Sequence, residues 1–320
     1  MQNRILHSEF ARDTLEGLSA TPKFLHSQYF YDTRGSLIFE KIMRMPEYYL
    51  TGCEFEIFSG QSSQIAQAVA SDCKFFELIE LGPGDGLKSK ILLKALMEQN
   101  AGFHYIPVDI STHALEKLVN TLHDEIPQLL VKEQTGDYFQ VMHELNERNG
   151  VPKVVLFLGS NIGNFLPEQT RDFLEKLSAI TVSGDKALIG FDLNKSPETI
   201  KQAHDDPHGH TREFNLNHLN RINRELNADF NLEKFIHHAV YHPATGAMES
   251  YLISTCAQHV NLGTLEKNIE FQPWECIFME LSKKFDRDEI QSLAWQYGFQ
   301  VVENFTDERG YFTDSLWVKR

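Results

Sequence analysis

The chain has 320 residues, of which 42% are hydrophobic, so it can bury a substantial core as one large domain or two closely joined ones. Its 45 acidic residues outnumber the 30 basic ones and give a net charge of −15, which argues against a nucleic-acid partner because such a surface repels phosphate backbones. The four cysteines lie far apart with no CxxC pair, which offers neither a zinc ribbon nor a disulfide framework.

No stretch approaches 18 uninterrupted apolar residues, and the first residues lack the apolar core of a secretory signal. We therefore expect a cytoplasmic protein that makes no use of a membrane.

The first 70 or so residues predict helices and loops, and the regular pattern begins after them. "KFFELIEL" (residues 74–81) predicts a strand, and "LKSKILLKALMEQN" carries the apolar stripe of a helix. "FHYIPVDI" predicts a second strand ending at Asp109, after which Ser111 and Thr112 can cap a helix. "QLLVKEQTGDY" predicts a third strand and turn, the fully apolar "KVVLFLGS" a fourth and central one, and "KALIGFDL" a fifth.

This alternation predicts an open, doubly wound, mostly parallel α/β sheet with helices on both faces. The tail would add a helix and a hairpin, so we assign residues 60–195 plus 286–320 to the sheet domain. Residues 1–59 plus 196–285, which include the long helix pattern "TREFNLNHLNRINRELNADF", break the alternation and predict a second, smaller α+β domain. Ligands of such sheets bind beyond the carboxyl ends of the strands.

A glycine turn follows the first predicted strand. Glu80, Gly82, Gly84 and Gly86 form E-x-G-x-G-x-G, whereas a dinucleotide fingerprint needs G-x-G-x-x-G and Leu87 occupies its third glycine position. The spacing resembles the first motif of class I S-adenosylmethionine (SAM)-dependent methyltransferases, in which the turn lies against the methionine portion of SAM.

Two further positions fit that resemblance in strand order. Asp109 ends the second strand, where it would accept both ribose hydroxyls, although an acid there can also be an ordinary helix cap. Asp137 and Tyr138 follow the third strand and would lie near the adenine.

Longer stretches extend the resemblance along nearly the whole chain. "YFYDTRGSLIFEKIMRMPEYYLT", "LGSNIGNFLP", "AHDDPHGHTREFNLNHLNRINRELNADF" and "MELSKKF" occur in this order. Together with the glycine turn they resemble the L-histidine Nα-methyltransferase family of ergothioneine biosynthesis. That family uses three SAM molecules to make hercynine, the Nα-trimethyl betaine of histidine, and releases S-adenosylhomocysteine (SAH).

The resemblance implies roles for individual positions. SAM would contact the turn glycines and four other side chains, namely Gly82, Gly84, Gly86, Lys88, Asp109, Asp137 and Tyr138. Tyr48 and Asn164 would be the catalytic pair that holds the amino and carboxylate end of the amino acid, with Gly159 lining the pocket. Glu280 and Ser282 would face the imidazole, and Tyr31 would reach it more loosely, through water. The sheet domain would bind SAM, and the smaller domain would bind the substrate.

Two substrate positions depart from the family pattern. His204 stands where the family has a tyrosine near the substrate carboxylate, and Ser250 stands where it has a methionine beside the substrate ring. Methyl transfer as the reaction is therefore better supported than the identity of the methyl acceptor. A different amino acid or histidine derivative remains an alternative substrate, and a non-catalytic SAM-binding protein is a second alternative. We expect a monomer that acts on a free small molecule.

"HDDPHGH" (residues 204–210) places three histidines and two aspartates close together. No histidine pair has the helical H-x-x-x-H spacing, and a Pro-Gly turn divides the segment, so we expect no metal there.

Overall fold

In the computed structural model, which describes residues 8–136, 138–146 and 150–320, the chain divides into two units. The large unit comprises Leu50–Asn194 and Lys284–Arg320, and the small unit comprises Met1–Tyr49 and Lys195–Lys283. The domain boundary expected between residues 59 and 60 lies inside a helix, Tyr49–Ala70.

Helices and strands alternate through the middle of the chain. The helices are α1 (Glu9–Ser19), α2 (Thr33–Met43), α3 (Tyr49–Ala70), α4 (Leu87–Glu98), α5 (Thr112–Glu125), α6 (Tyr138–Asn146), α7 (Pro167–Ile180), α8 (Pro197–His204), α9 (His210–Leu226) and α10 (Arg287–Gln296). The strands are β1 (Lys23–Phe24), β2 (Phe76–Leu81), β3 (Phe103–Asp109), β4 (Gln134–Thr135), β5 (Lys153–Phe157), β6 (Lys186–Asp192), β7 (Phe235–His242), β8 (Ala247–Ser254), β9 (Gln258–Leu262), β10 (Lys267–Phe271), β11 (Cys276–Lys283), β12 (Phe299–Thr306) and β13 (Phe312–Lys319). Short 3-10 helices span Ser27–Phe30, Asn161–Asn164, Leu232–Lys234 and Gly263–Leu265.

The large unit is built on a sheet with strand order β12-β13-β6-β5-β2-β3-β4. The neighbouring strands from β6 to β4 pair in parallel, and β13 runs antiparallel to both β6 and β12. Every residue of β2, β5 and β6 is buried, as the apolar runs of these strands require when helices cover both faces. The predicted doubly wound, mostly parallel fold is confirmed.

The third predicted strand is much shorter than expected. Only Gln134 and Thr135 form β4, and one isolated bridge joins Val131 to Tyr105. β4 lies at the sheet edge, where one neighbour supplies hydrogen bonds, and the polar residues 132–135 offer no apolar face to bury.

Aromatic side chains fill the core of the large unit. Phe157 at the end of β5 stacks on Phe173 of α7 with ring centroids 4.4 Å apart, and Trp317 of β13 is fully buried in the same cluster. Pro167 occupies the first turn of α7, where its missing N–H costs no hydrogen bond. These contacts fix the helices beneath the strand ends that carry the candidate site.

The small unit contains a sheet with strand order β1-β11-β8-β7 and a separate β9–β10 hairpin. The predicted long helix is α9, whose buried Phe214, Leu219, Ile222 and Leu226 recur at helical spacing and pack into the core of this unit. Strands β7 and β8 contain the segments "HAVYH" and "ESYLIS".

Among the residues that the structure describes, no helix has both the length and the apolar character needed to cross a membrane.

Candidate active site

The glycine turn after β2 depends on backbone conformations that favour glycine. Gly82, Gly84 and Gly86 have φ of +67°, +60° and +68°. A Cβ at Gly86 would lie 2.2 Å from Leu118 Cδ1, so this glycine is also required for the packing of α4 against α5. In the described part of the chain nothing lies within 4 Å of a Cβ placed at Gly84, so the turn presents bare backbone to open space.

Glu80, which precedes the turn, holds the surrounding elements together. Its carboxylate accepts hydrogen bonds from Ser89 Oγ on α4 at 2.6 Å and from the Tyr105 hydroxyl on β3 at 2.5 Å. Burial raises the pKa of Glu80, and these two hydrogen bonds oppose the rise. Glu80 is therefore committed to contacts within the large unit.

Asp109 and Tyr138 lie at neighbouring strand ends beside the glycine turn. One Asp109 oxygen accepts from Ser111 N at 2.8 Å, and Ser111 Oγ caps α5 by accepting from Ala114 N at 3.2 Å. The predicted cap is thus present, and Asp109 also shapes this turn. Burial raises the pKa of Asp109, against the backbone N–H donors of Ser111 and Ile110.

Tyr138 at the start of α6 reaches back to the turn. A Cβ at Gly82 would meet the Tyr138 hydroxyl oxygen at 2.6 Å, so only a glycine allows this approach. The structure therefore brings Gly82 and Tyr138 together. Asp137 lies outside the described residues.

Lys88 and Gly159 meet at a carboxylate that the sequence did not single out. Lys88, in the first turn of α4, donates to Glu54 Oε2, and Gly159 N donates to Glu54 Oε1 at 2.6 Å. Burial alone would lower the pKa of Lys88, but the Glu54 carboxylate outweighs that effect and raises it, so Lys88 stays charged. No local pattern marks Glu54, since its two partners are 34 and 105 residues away in sequence.

Gly159 and Asn164 follow β5 at the same edge of the sheet. Gly159 has φ +76° and Ser160 has φ +56°, and Ser160 Oγ accepts from Asp192 N at 3.0 Å, which anchors the turn to the end of β6. Asn164 is the last residue of the 3-10 helix that follows, and it is half-buried. Both predicted residues belong to the large unit.

In the small unit, Tyr31, Tyr48 and Glu280 are neighbours. Loss of hydration, followed by the Glu280 carboxylate and Tyr48, raises the pKa of Tyr31 well above its ordinary value, although 47% of the residue remains exposed. Because about half of the residue is exposed, the nearby Glu280 charge is the stronger cause of this rise. Phe39 lies beside both tyrosines, with ring centroids 5.3 Å from Tyr31 and 6.1 Å from Tyr48. We did not predict Phe39, because an apolar ring on a helix is usually a core residue.

Glu280 and Ser282 lie on one face of β11. Strand alternation places residues two apart on the same side, and β8 sets Ser250 opposite Glu280 and Met248 opposite Ser282. The register shift in this strand pair falls before Glu280, between Phe278 and Glu280. The structure therefore brings Ser250, Glu280 and Ser282 together.

Helix α8 covers this same face. Ile200 packs against Met248 and against Ala239, which pairs with Ser250 across β7 and β8. His204, one helical turn after Ile200, is only 8% exposed, so it lies on the side of α8 that faces the sheet. The departure from the family pattern thus falls on the helix that covers the Glu280 face.

The histidine-rich segment 204–210 serves a structural purpose. Asp206 accepts from His210 N at 3.0 Å and Thr211 N at 2.7 Å at the start of α9. Although burial acts in the opposite direction, these donors lower the pKa of Asp206. Within residues 8–136, 138–146 and 150–320, no group of three or more His, Cys, Asp or Glu side chains is arranged to hold a metal ion.

Comparison with known proteins covers both units. A family model described as histidine-specific methyltransferase, SAM-dependent, matches residues 10–319. The chain is 35% identical over 313 residues to histidine N-alpha-methyltransferase of Mycobacterium tuberculosis, covering 98% of this chain and 96% of that protein. It is 29% identical to ergothioneine biosynthesis protein 1 of Neurospora crassa, over 89% of this chain and 32% of that protein. It is 25% identical to 4-dimethylallyltryptophan N-methyltransferase of Aspergillus fumigatus, over 94% of this chain and 91% of that protein.

Proposed function

The chain belongs to the histidine-specific, SAM-dependent methyltransferase family, and on that premise we propose that it methylates the α-amine of L-histidine. Three successive transfers would give hercynine in ergothioneine biosynthesis, with one SAH released at each transfer. The observation that carries the proposal is the placement of Glu280 and Ser282 on one face of β11 beside Tyr31.

That pair suits an imidazole. A neutral imidazole has one N–H donor and one bare nitrogen acceptor, so it needs an acceptor on one side and a donor on the other. The Glu280 carboxylate can accept from the N–H, and the Ser282 hydroxyl can donate to the second nitrogen. Tyr31 keeps its phenolic proton because its pKa is raised, so it acts as a donor near Glu280 and does not act as a base.

In methyl transfer the main task of the protein is to position the two reactants. SAM supplies a methyl group on a sulfonium, which a neutral amine displaces in line. In our proposal Tyr48 and Asn164 hold the amino and carboxylate end of the substrate, with Gly159 lining the pocket. The Tyr48 oxygen and the Asn164 carbonyl would also stabilise the fixed positive charge that remains after the third transfer.

The residues that we propose for SAM binding lie on the glycine turn and at the neighbouring strand ends. We propose that the large unit binds SAM and the small unit supplies most substrate contacts. The bare backbone at Gly84 supports a close approach by the methionine portion. The proposed SAM contacts are Gly82, Gly84, Gly86, Lys88, Asp109, Asp137 and Tyr138.

A second candidate is N-methylation of a different amino acid or histidine derivative. His204 and Ser250 lie on or over the Glu280 face, where a tyrosine and a methionine are the family pattern. The relative from Aspergillus fumigatus is named for a prenylated tryptophan, so similarity at 25% identity extends to proteins with other acceptors.

We also propose that the chain works in the cytoplasm as a monomer on a free amino acid. The net charge of −15 supports the absence of a nucleic-acid partner. Light scattering after size exclusion would check the monomer, for which we expect a mass near 36.8 kDa.

The test is to incubate the purified chain with SAM and each of the twenty amino acids, and to read product masses and SAH release. Histidine gaining three methyl groups, with three SAH for each product, is the expected result. Turnover with another amino acid in place of histidine would select the second candidate. Tight SAM binding with no product from any amino acid would contradict both.

A further inference from the structure

Glu54 lies where the cofactor residues and the Gly159 turn approach one another within the large unit. It belongs to α3 and is 1% exposed. Its two oxygens have different partners, because Oε1 accepts from Gly159 N at 2.6 Å and Oε2 accepts from the Lys88 ammonium. One buried carboxylate therefore connects the first turn of α4 to the turn after β5.

The absence of a side chain at Gly190 leaves room for the Glu54 carboxylate. Gly190 lies in the middle of β6, where a glycine weakens a strand. A Cβ at this position would come within 2.9 Å of Glu54 Oε1 and 3.2 Å of Gly159 N. The Phe312 ring would lie 3.1 Å from the same Cβ, so the close approach of Glu54, Phe312 and the Gly159 turn together explains the glycine.

Asp314 on β13 is a second buried acid close enough to feel the charge of Glu54. It lies opposite Gly190 in the β13–β6 pair and is fully buried. In the described part of the chain no donor faces either of its carboxyl oxygens. Burial, and then the charge of Glu54, raise the pKa of Asp314 well above its ordinary value. The nearby Lys88 charge opposes this rise.

We propose that Glu54 is a positioning residue of the methyltransferase, which sets Lys88 and the Gly159 turn in the geometry that receives SAM and the acceptor. The inference rests on the proposed function, since it takes Lys88 as a SAM contact and Gly159 as part of the acceptor pocket. The Lys88 ammonium and the Gly159 amide both donate, and Glu54 is the acceptor that they share.

A carboxylate is needed because the partners are all donors. A glutamine at position 54 has one acceptor oxygen and one NH₂ group, so one end must face a donor whichever way the amide turns. Glu54→Gln should therefore release either Lys88 or the Gly159 turn. A freed lysine regains rotamer freedom that has to be lost again when a ligand binds.

The experiment measures SAH binding by calorimetry, together with the thermal midpoint of each variant. Asp185→Asn is the matched control. Asp185 is 1% exposed and accepts from two backbone N–H groups, Lys153 N at 2.8 Å and Val182 N at 2.9 Å. It precedes β6 and so lies at the opposite edge of the sheet from Glu54.

We expect Glu54→Gln to weaken SAH binding about tenfold or more and to raise KM for SAM, while Asp185→Asn lowers the midpoint and leaves the SAH affinity unchanged. Glu54→Gln that binds SAH as tightly as wild type would overturn the proposal, and so would equal losses of SAH affinity in Glu54→Gln and Asp185→Asn.

The same assay separates this inference from the proposed substrate. A wild-type chain that binds SAH but does not methylate histidine would refute the substrate, and the effect of Glu54→Gln on SAH binding would still decide the role of Glu54. A wild-type chain that does not bind SAH would overturn both. If Glu54→Gln does not fold, Glu54→Asp replaces it, because the shorter carboxylate cannot reach both donors and we expect the same direction of change.

Discussion

Ser250 on β8 lies directly opposite Glu280 on β11, and both side chains project from the face that α8 covers. A cross-strand pair of this kind places side chains in direct contact range. The small hydroxyl leaves room beside the carboxylate, so the width of the pocket at Glu280 depends on position 250. Recognition of an acceptor ring should therefore be separable from the binding of SAM.

Glu280→Gln keeps the shape of the side chain and removes its charge. A hydrogen bond to a charged group is worth about 1.5–3 kcal/mol, so we expect kcat/KM for histidine to fall between about tenfold and a hundredfold. SAH affinity should stay unchanged. Ser250→Ala is the control on the same face, with an expected loss below about threefold because it removes no charge. A matching fall in SAH affinity for Glu280→Gln would contradict the assignment of this face to the acceptor.

Gly84→Ala and Gly86→Ala separate ligand approach from packing. Both positions have φ near the left-handed region, which costs an alanine about 1–2 kcal/mol. Gly86→Ala also drives a methyl group to 2.2 Å from Leu118, so its unfolding midpoint in urea should fall further than that of Gly84→Ala. Gly84→Ala should instead lose more SAH affinity than its modest destabilisation explains. Equal effects of the two substitutions on both measurements would show that Gly84 does not face the ligand.

The raised pKa of Asp314 predicts that the free energy of unfolding depends on pH. Its pKa is raised in the folded chain by burial and by Glu54, so the folded state holds a proton that the unfolded state releases near its ordinary pKa. The stability contributed by this group is complete below the unfolded pKa and is lost as the pH rises toward the folded pKa. Asp314→Asn cannot ionise, so its advantage over wild type in urea unfolding should grow from pH 5 to pH 8. A difference that stays constant with pH would contradict this account.

For His218 we predict the opposite pH dependence, in which the free energy of unfolding falls as the pH is lowered. The ring is fully buried against Phe30, at a centroid distance of 5.4 Å, and in the described residues neither ring nitrogen has a hydrogen-bond partner. Burial, followed by the nearby Arg221 charge, lowers the pKa of His218 to about 3. The unfolded chain therefore takes up this proton first, and stability falls as the pH drops below about 6.5 toward that value.

His218→Leu should reduce this sensitivity to acid. At pH 5 the wild type should have lost roughly 2 kcal/mol relative to neutral pH through this residue. Urea unfolding at pH 7 and pH 5 gives, for each protein, the change in the free energy of unfolding between the two pH values. A packing change made by leucine acts at both pH values, so it cancels from this comparison. Parallel losses in the two proteins would assign the acid sensitivity to other groups.

Local sequence patterns explain why the central sheet and the glycine turn could be predicted. The apolar runs that became β2, β5 and β6 are buried on both faces, and the three glycines have the conformations that a tight turn demands. The same reasoning overextended the third strand, because propensity does not show that β4 is an edge strand whose polar residues have nothing to pack on.

The contacts that escaped prediction are long-range. Glu54 reads in sequence as one acid on a helix, and its role appears only when α3 meets Lys88 and Gly159. Phe39 likewise reads as a core residue, and only the folded small unit places its ring beside Tyr31 and Tyr48. Substrate residues such as Glu280 came from family resemblance, because strand alternation alone predicts a solvated glutamate there.

The close approach of Gly190 to Glu54 couples the effects of mutations at these two positions. A Cβ at 190 would lie 2.9 Å from Glu54 Oε1, 3.1 Å from Phe312 Cζ and 3.2 Å from Gly159 N, so a mutation at 190 is harmful, and losing the acid at 54 relieves one of these three contacts. Losing the acid first leaves two donors, the Lys88 ammonium and the Gly159 amide, without their shared acceptor. Each single step is therefore harmful, while the second step costs less once the first has occurred. The effects of mutations at the two positions should therefore be non-additive.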